Sequence, residues 1–153
     1  MIILQNNQNI EIKNVCLILG FFDGIHLGHQ QLITRAVQHS KKNSEKTLLI
    51  TFKSSPTTYF GKKSEYLYSR KENYNLIESF GVDYLLELDF ADIVNIQAED
   101  FLLYLSETFA PGAIFTGFNY TFGINKRGTS ETLEKFQSEY NYKYFCIPLF
   151  KYD

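Results

Sequence analysis

Apolar and polar positions along this 153-residue chain alternate between two textures. Compact, almost continuous apolar runs lie at residues 15–19, 47–52, 83–88, 113–116 and 143–147. Runs of that length, rich in Ile, Leu, Val and Phe, predict strands buried on both faces. The stretches between them carry apolar residues at helical spacing. Leu32, Ile33, Ala36 and Val37 share one face of a helix predicted over 29–41. The next helix opens on a capping box, Ser69 with Glu72, and runs to Phe80, where Gly81 supplies a left-handed C-cap. A third helix spans 98–109 and stops at Pro111 and Gly112, and a polar fourth spans 130–140. Residues 1–13 read as a short edge strand or lead-in. Segments 42–45, 57–68 and 89–97 read as connections, with Pro56 and Pro148 ending strands.

Strand and helix therefore alternate through five strands. This predicts an α/β fold with a five-stranded parallel core and helices on both faces. The length suits a single domain, residues 1–153. In such sheets ligands bind beyond the carboxyl ends of the strands, where strand order reverses. Glycine-rich loops follow the first and fourth strands, at Gly20 and Gly117. If those strands are neighbours, the loops meet over one crevice.

Charge narrows the partners. Fifteen basic against 17 acidic residues give a net charge of −2. A sequence-independent nucleic-acid binder needs a basic surface, so that class is set aside, whereas a small anion in a local pocket is not. Cys16 and Cys146 fit neither a zinc pattern nor a disulfide framework, and both read as buried reduced thiols of a cytoplasmic protein. No run reads as a signal peptide or is long enough to span a membrane.

The chemistry concentrates in Gly20-Phe21-Phe22-Asp23-Gly24-Ile25-His26-Leu27-Gly28-His29. A strand, a glycine turn and a helix entrance together favour phosphate: glycine lets the main chain approach closely, and the helix points unpaired N–H groups at the turn. His26 and His29 add imidazole donors. The spacing is neither a Walker A loop nor a dinucleotide fingerprint, and no further ligand types cluster with the two histidines as a zinc site requires. Lys126 and Arg127, Arg70 and Lys71 read as solvated. His39 sits near a helix end, where it complements the dipole.

Gly20 to His29 resembles the GxFDGxHxGH signature of the adenylyltransferase module of bacterial FAD synthetases, members of the HxGH nucleotidyltransferase superfamily. The segment 51–56 is similar to their TFxPHP segment, Gly81-Val82-Asp83-Tyr84 to their GVDY strand entry, and Gly117-Phe118-Asn119-Tyr120-Thr121-Phe122-Gly123 with Gly128 to their GxNFxFGxxxxG loop. The resemblance covers about 15–148 and implies a Rossmann-like nucleotidyltransferase fold. It implies FMN adenylyltransferase activity: ATP and FMN give FAD and pyrophosphate, with Mg²⁺. His26, His29 and Asn119 would then be the catalytic residues, the histidines on the triphosphate. Gly20, Phe22, Asp23, Gly24, Gly28, Phe52, Ser55, Pro56, Gly117, Phe122 and Gly123 would bind the nucleotide and flavin, with Gly28 admitting the phosphates and Phe122 against the isoalloxazine ring. Tyr59 and Phe60 are further ring candidates. Phe21 stands where the family often has Asn or Val, and Ser54 and Ser55 where it has Pro and His. The family's SSTxIR-like motif and fused riboflavin kinase domain follow the point where this chain ends, so the expectation is a truncated module that does not phosphorylate riboflavin. Two alternatives remain: a module that binds ATP or flavin without transfer, and an HxGH transferase with another acceptor.

Overall fold

The computed structural model describes residues 1–5, 10–22, 27–52 and 70–148. Six strands form one sheet: β1 (Ile2–Leu4), β2 (Val15–Leu19), β3 (Lys46–Phe52), β4 (Tyr84–Leu88), β5 (Ala113–Gly117) and β6 (Lys143–Ile147). Their order is β1-β4-β3-β2-β5-β6, every neighbouring pair parallel. The sheet thus has six strands rather than five. The additional strand comes from the lead-in, where Ile2 pairs with Tyr84 and Leu4 with Leu86 on the open side of β4. Three residues, two of them exposed, are too few to show a periodicity.

The inner strands are mostly apolar because helices cover both faces, with Thr47, Thr51, Glu87 and Thr116 as buried polar exceptions. Beside the sheet lie α1 (Leu27–Lys42), α2 (Arg70–Ser79), α3 (Phe90–Ile93), α4 (Ala98–Phe109), α5 (Ser130–Lys135) and α6 (Gln137–Tyr140). On one face Leu32, Ile33, Ala36 and Val37 of α1 and Ile77 of α2 pack on Ile18, Leu49, Leu85 and Phe115. On the other, Phe101, Leu102, Leu105 and Phe109 of α4 and Leu133 of α5 pack on Leu17, Leu19, Ile50 and Ile114. Alternate residues of each strand feed opposite cores, as a pleated sheet requires.

Local chemistry explains the entrances. Asp83 ties β4 to β3: its carboxylate accepts from the Thr47 backbone N–H at 2.9 Å and the Thr47 hydroxyl at 3.2 Å, while its own N–H donates to Thr47 Oγ1 at 2.9 Å. Gly81 caps α2 at φ 95°, as its position predicts; Ser69, the other end of the expected capping box, lies outside the described residues. Three helical boundaries differ from expectation. Helix α1 starts at Leu27, so Gly28 and His29 belong to its first turn. The connection 89–97 contains α3, capped by Asp89, whose side chain accepts from the Ala91 N–H at 3.1 Å. The polar segment 130–140 is two helices, because Phe136 leaves helical geometry at φ −92°, ψ 6°.

One cysteine departs from its expected environment, and one surface arginine has a partner that the sequence did not suggest. Cys16 is buried in β2, but Cys146 is exposed, since β6 is an edge strand only partly covered. Arg70 is not simply solvated: its guanidinium grips both carboxylate oxygens of Glu87, a residue 5% exposed on β4. That hydrogen bond raises the Arg70 pKa beyond its already high value. His39 lies in the last turn of α1 as expected, with Nε2 3.4 Å from Glu45. Among the described residues, no helix is long and apolar enough to cross a membrane.

Candidate active site

Strand order reverses between β2 and β5. From β2 the chain moves outward to β3 and then β4, beyond which the N-terminal β1 pairs; from β5 it moves to β6 on the other side. These two strands are hydrogen-bonded neighbours, with Leu19 opposite Thr116, so Gly20 and Gly117 lie side by side at their carboxyl ends. The two glycine-rich loops therefore leave adjacent strands at the switch point, the position where doubly wound sheets bind ligands.

On the β2 side the structure describes Gly20, Phe21, Phe22 and then α1 from Leu27. Gly20 is required by its neighbour: a Cβ there would fall 2.7 Å from the tip of the Phe22 ring. Phe22, 2% exposed, lies over Gly20 and meets the His29 imidazole at a centroid distance of 5.0 Å. His29, half-buried in the first turn of α1 with Nδ1 buried, is thus seated against a fixed ring at the helix entrance. Gly28 beside it is buried. The helix dipole favours an anion at this end. His26, Asp23 and Gly24, and Ser55 and Pro56 of the second segment, lie outside the described residues, as do Tyr59 and Phe60.

On the β5 side Gly117 to Tyr120 form a turn, closed by the Tyr120 N–H on the Gly117 carbonyl at 3.3 Å. Phe118 and Asn119 at its tip are exposed. The loop then folds back: Phe122 and Gly128 exchange N–H···O bonds of 3.0 and 2.8 Å, and Gly123 presses on α4 at Ala98. The Phe122 ring is turned into the core. It is 7% exposed, stacked on Tyr120 at 5.9 Å and packed on Phe101 at 5.8 Å. Gly128 is small because a Cβ would meet the same ring at 2.5 Å. The ring therefore stiffens the loop from beneath. Lys126 and Arg127 are exposed, as read from the sequence.

A separate aromatic cluster lies at the carboxyl ends of the strands. Phe21, half-buried, stacks on Phe52 at the end of β3 at 5.2 Å and meets Tyr120 at 5.6 Å and Phe90 at 6.3 Å. It bridges the ends of β2, β3 and β5. Burial pushes the Tyr120 phenol pKa up, with a smaller contribution from Tyr144, so this ring stays neutral. Composition alone points to no particular ring; only the neighbourhood of β2 and β5 singles out Phe21. Among the described residues, no group of three or more His, Cys, Asp or Glu is placed to hold a metal ion.

A parallel α/β sheet with glycine loops and a histidine-bearing helix entrance at its switch point defines a nucleotide-binding class of domain. Residues 8–153 match the sequence model of FAD synthetase, and the chain belongs to that family. Two curated relatives, both bifunctional riboflavin kinase/FMN adenylyltransferases, come from Buchnera aphidicola. The protein of subspecies Schizaphis graminum is 29% identical over 86% of this chain and 43% of its own length. That of subspecies Acyrthosiphon pisum is 30% identical over 99% of this chain and 50% of its own. The chain thus spans about half the length of the curated relatives it matches. A crystal structure titled as a macrolide-efflux protein from Streptococcus pneumoniae superposes with a TM-score of 0.82 at 25% identity, covering 97% of this chain and 50% of that one.

Proposed function

We propose that this domain is an FMN adenylyltransferase, joining ATP and FMN to give FAD and pyrophosphate. The observation that carries the reading is the pairing of β2 and β5, the strands that the two glycine loops follow, at the switch point of a chain of the FAD synthetase family. An FMN phosphate oxygen attacks the α-phosphorus of ATP, the new P–O bond forms, and the bond to the β-phosphate oxygen breaks with release of pyrophosphate. The attacking oxygen is already an anion, so no general base is needed. The demand on the protein is to align the two phosphates and stabilise charge.

The α1 entrance and His29, with His26, hold the ATP phosphates, and Gly20 and Gly28 let them approach the main chain. Asn119 at the tip of the opposite loop faces the reacting phosphates. Gly117 and Gly123 set that loop's path. The described residues form no protein cage for a cation; a magnesium ion carried on the triphosphate oxygens requires none. When bound there, magnesium neutralises charge on the phosphates. Phe21, backed by Phe52, takes the flavin ring in place of Phe122. We place the domain in the cytoplasm, working alongside a riboflavin kinase activity as its bifunctional relatives' names describe.

Incubating this 153-residue chain with FMN, ATP and Mg²⁺, followed by chromatography, is expected to show FAD and stoichiometric pyrophosphate. Nucleotide binding without FAD would instead favour a binding module. Loss of one offset aromatic contact is worth about 1 kcal/mol. Phe21→Ala is therefore expected to weaken FMN binding about fivefold to tenfold, read by quenching of flavin fluorescence, with ATP affinity unchanged. Equal FMN affinity in the variant would remove Phe21 from the flavin site.

A further inference from the structure

We infer that Asn73, on α2 and remote in sequence from both glycine loops, is a positioning residue that fixes His29 through Phe22. The inference rests on the reading of His29 as a phosphate-binding residue. The Asn73 side-chain amide donates to the Phe22 carbonyl at 2.6 Å, across 51 residues of sequence. Phe22 is the pivot of the first loop. Its ring occupies the space Gly20 leaves and forms the surface on which His29 rests. Its backbone N–H faces Thr51 Oγ1 at 3.5 Å, too long to hold the turn firmly, so the Asn73 bond is the stronger tether on its main chain.

Asn73 can act as a fixed point because its helix is itself anchored. One residue on, Tyr74 accepts from Arg70 Nε at 2.8 Å, and the same guanidinium is locked onto buried Glu87 of β4. Glu87 pairs in register with Thr51 of β3. The first turn of α2 is therefore fastened to the sheet, and Asn73 extends from it to the loop. An apolar side chain at 73 would leave the Phe22 carbonyl, in a half-buried position, without this donor. A polar residue on a polar helix reads in sequence as solvated, which is why Asn73 gives no signal there.

The test combines structure and turnover. Asn73→Asp keeps the side-chain shape but removes the N–H donor; Asn73→Gln keeps the donor on a longer arm; Ile77→Val loosens α2 without touching the tether. The chain has three histidines, so the ring C–H signals of His29 are assigned by comparison with His29→Gln. In Asn73→Asp the His29 signals are expected to shift and kcat to fall about 10- to 100-fold, with KM for FMN nearly unchanged. Asn73→Gln should restore part of both, and Ile77→Val should leave the His29 signals in place. Unmoved His29 signals in Asn73→Asp, or equal shifts in Ile77→Val, would overturn the inference. So would shifted signals with unchanged kcat. If the wild-type chain makes no FAD, the proposed function fails, while the His29 signals still decide whether Asn73 holds His29.

Discussion

His29→Ala is expected to lower FAD formation about 10²- to 10³-fold, the range for removing one fixed donor from a developing negative charge. The domain should remain folded. His29 is only half-buried, in the first turn of α1, while the core side of that helix is carried by Leu32, Ile33, Ala36 and Val37. Truncation removes the imidazole but not the ring of Phe22 beneath it, which stays packed over Gly20. The loss should therefore fall mainly on kcat, because a donor aimed at the phosphates stabilises the transition state more than the bound substrates. Pyrophosphate release under saturating substrates measures it, with thermal unfolding as the control. Turnover within twofold of wild type would remove His29 from the chemistry. A matching fall in thermal stability would assign the loss to the fold.

The sheet was legible in the sequence where burial is two-sided. Val15–Leu19 and Ala113–Gly117 are buried at every position, so their apolar runs are continuous and unmistakable. β1 has no such run, and its partner across the chain, β4, is some 80 residues away. The break at Phe136 was also illegible, because nothing in the side chains marks a backbone that leaves helical geometry for one residue. The glycine loops were readable as motifs, but the pairing of the strands they follow, β2 and β5, came only from the topology. Which aromatic stays partly exposed at the strand ends was not readable. Phe122 and Phe21 are alike in sequence, and only packing distinguishes the ring buried against Phe101 and Tyr120 from the ring at the rim. Asn73 was missed for the same reason: its significance lies in one hydrogen bond across 51 residues.

Gly123→Ala is expected to be the most damaging single methyl in the second loop. Gly123 sits at φ 78°, ψ 178°, a region essentially reserved for glycine, where an L-residue costs about 1–3 kcal/mol. Space compounds the strain. A Cβ would lie 2.8 Å from both the backbone N and Cα of Ala98, at the start of α4. Main-chain atoms of a helix cannot turn aside as a flexible side chain would, so relief requires moving the loop or the helix, at a further cost of about 1–3 kcal/mol. The sum, about 2–6 kcal/mol, is a large part of an ordinary domain's stability. Gly128 makes the contrast informative. The three atoms nearest its Cβ all belong to the Phe122 ring, and no left-handed backbone is involved, so Gly128→Ala combined with Phe122→Leu should recover part of its loss. No side-chain change recovers Gly123→Ala. Urea unfolding of the two series measures the difference. If Gly123→Ala proved as stable as wild type, the close seating of the second loop on α4 would be wrong. The position of Asn119, exposed at the tip of that loop, would lose its structural basis with it.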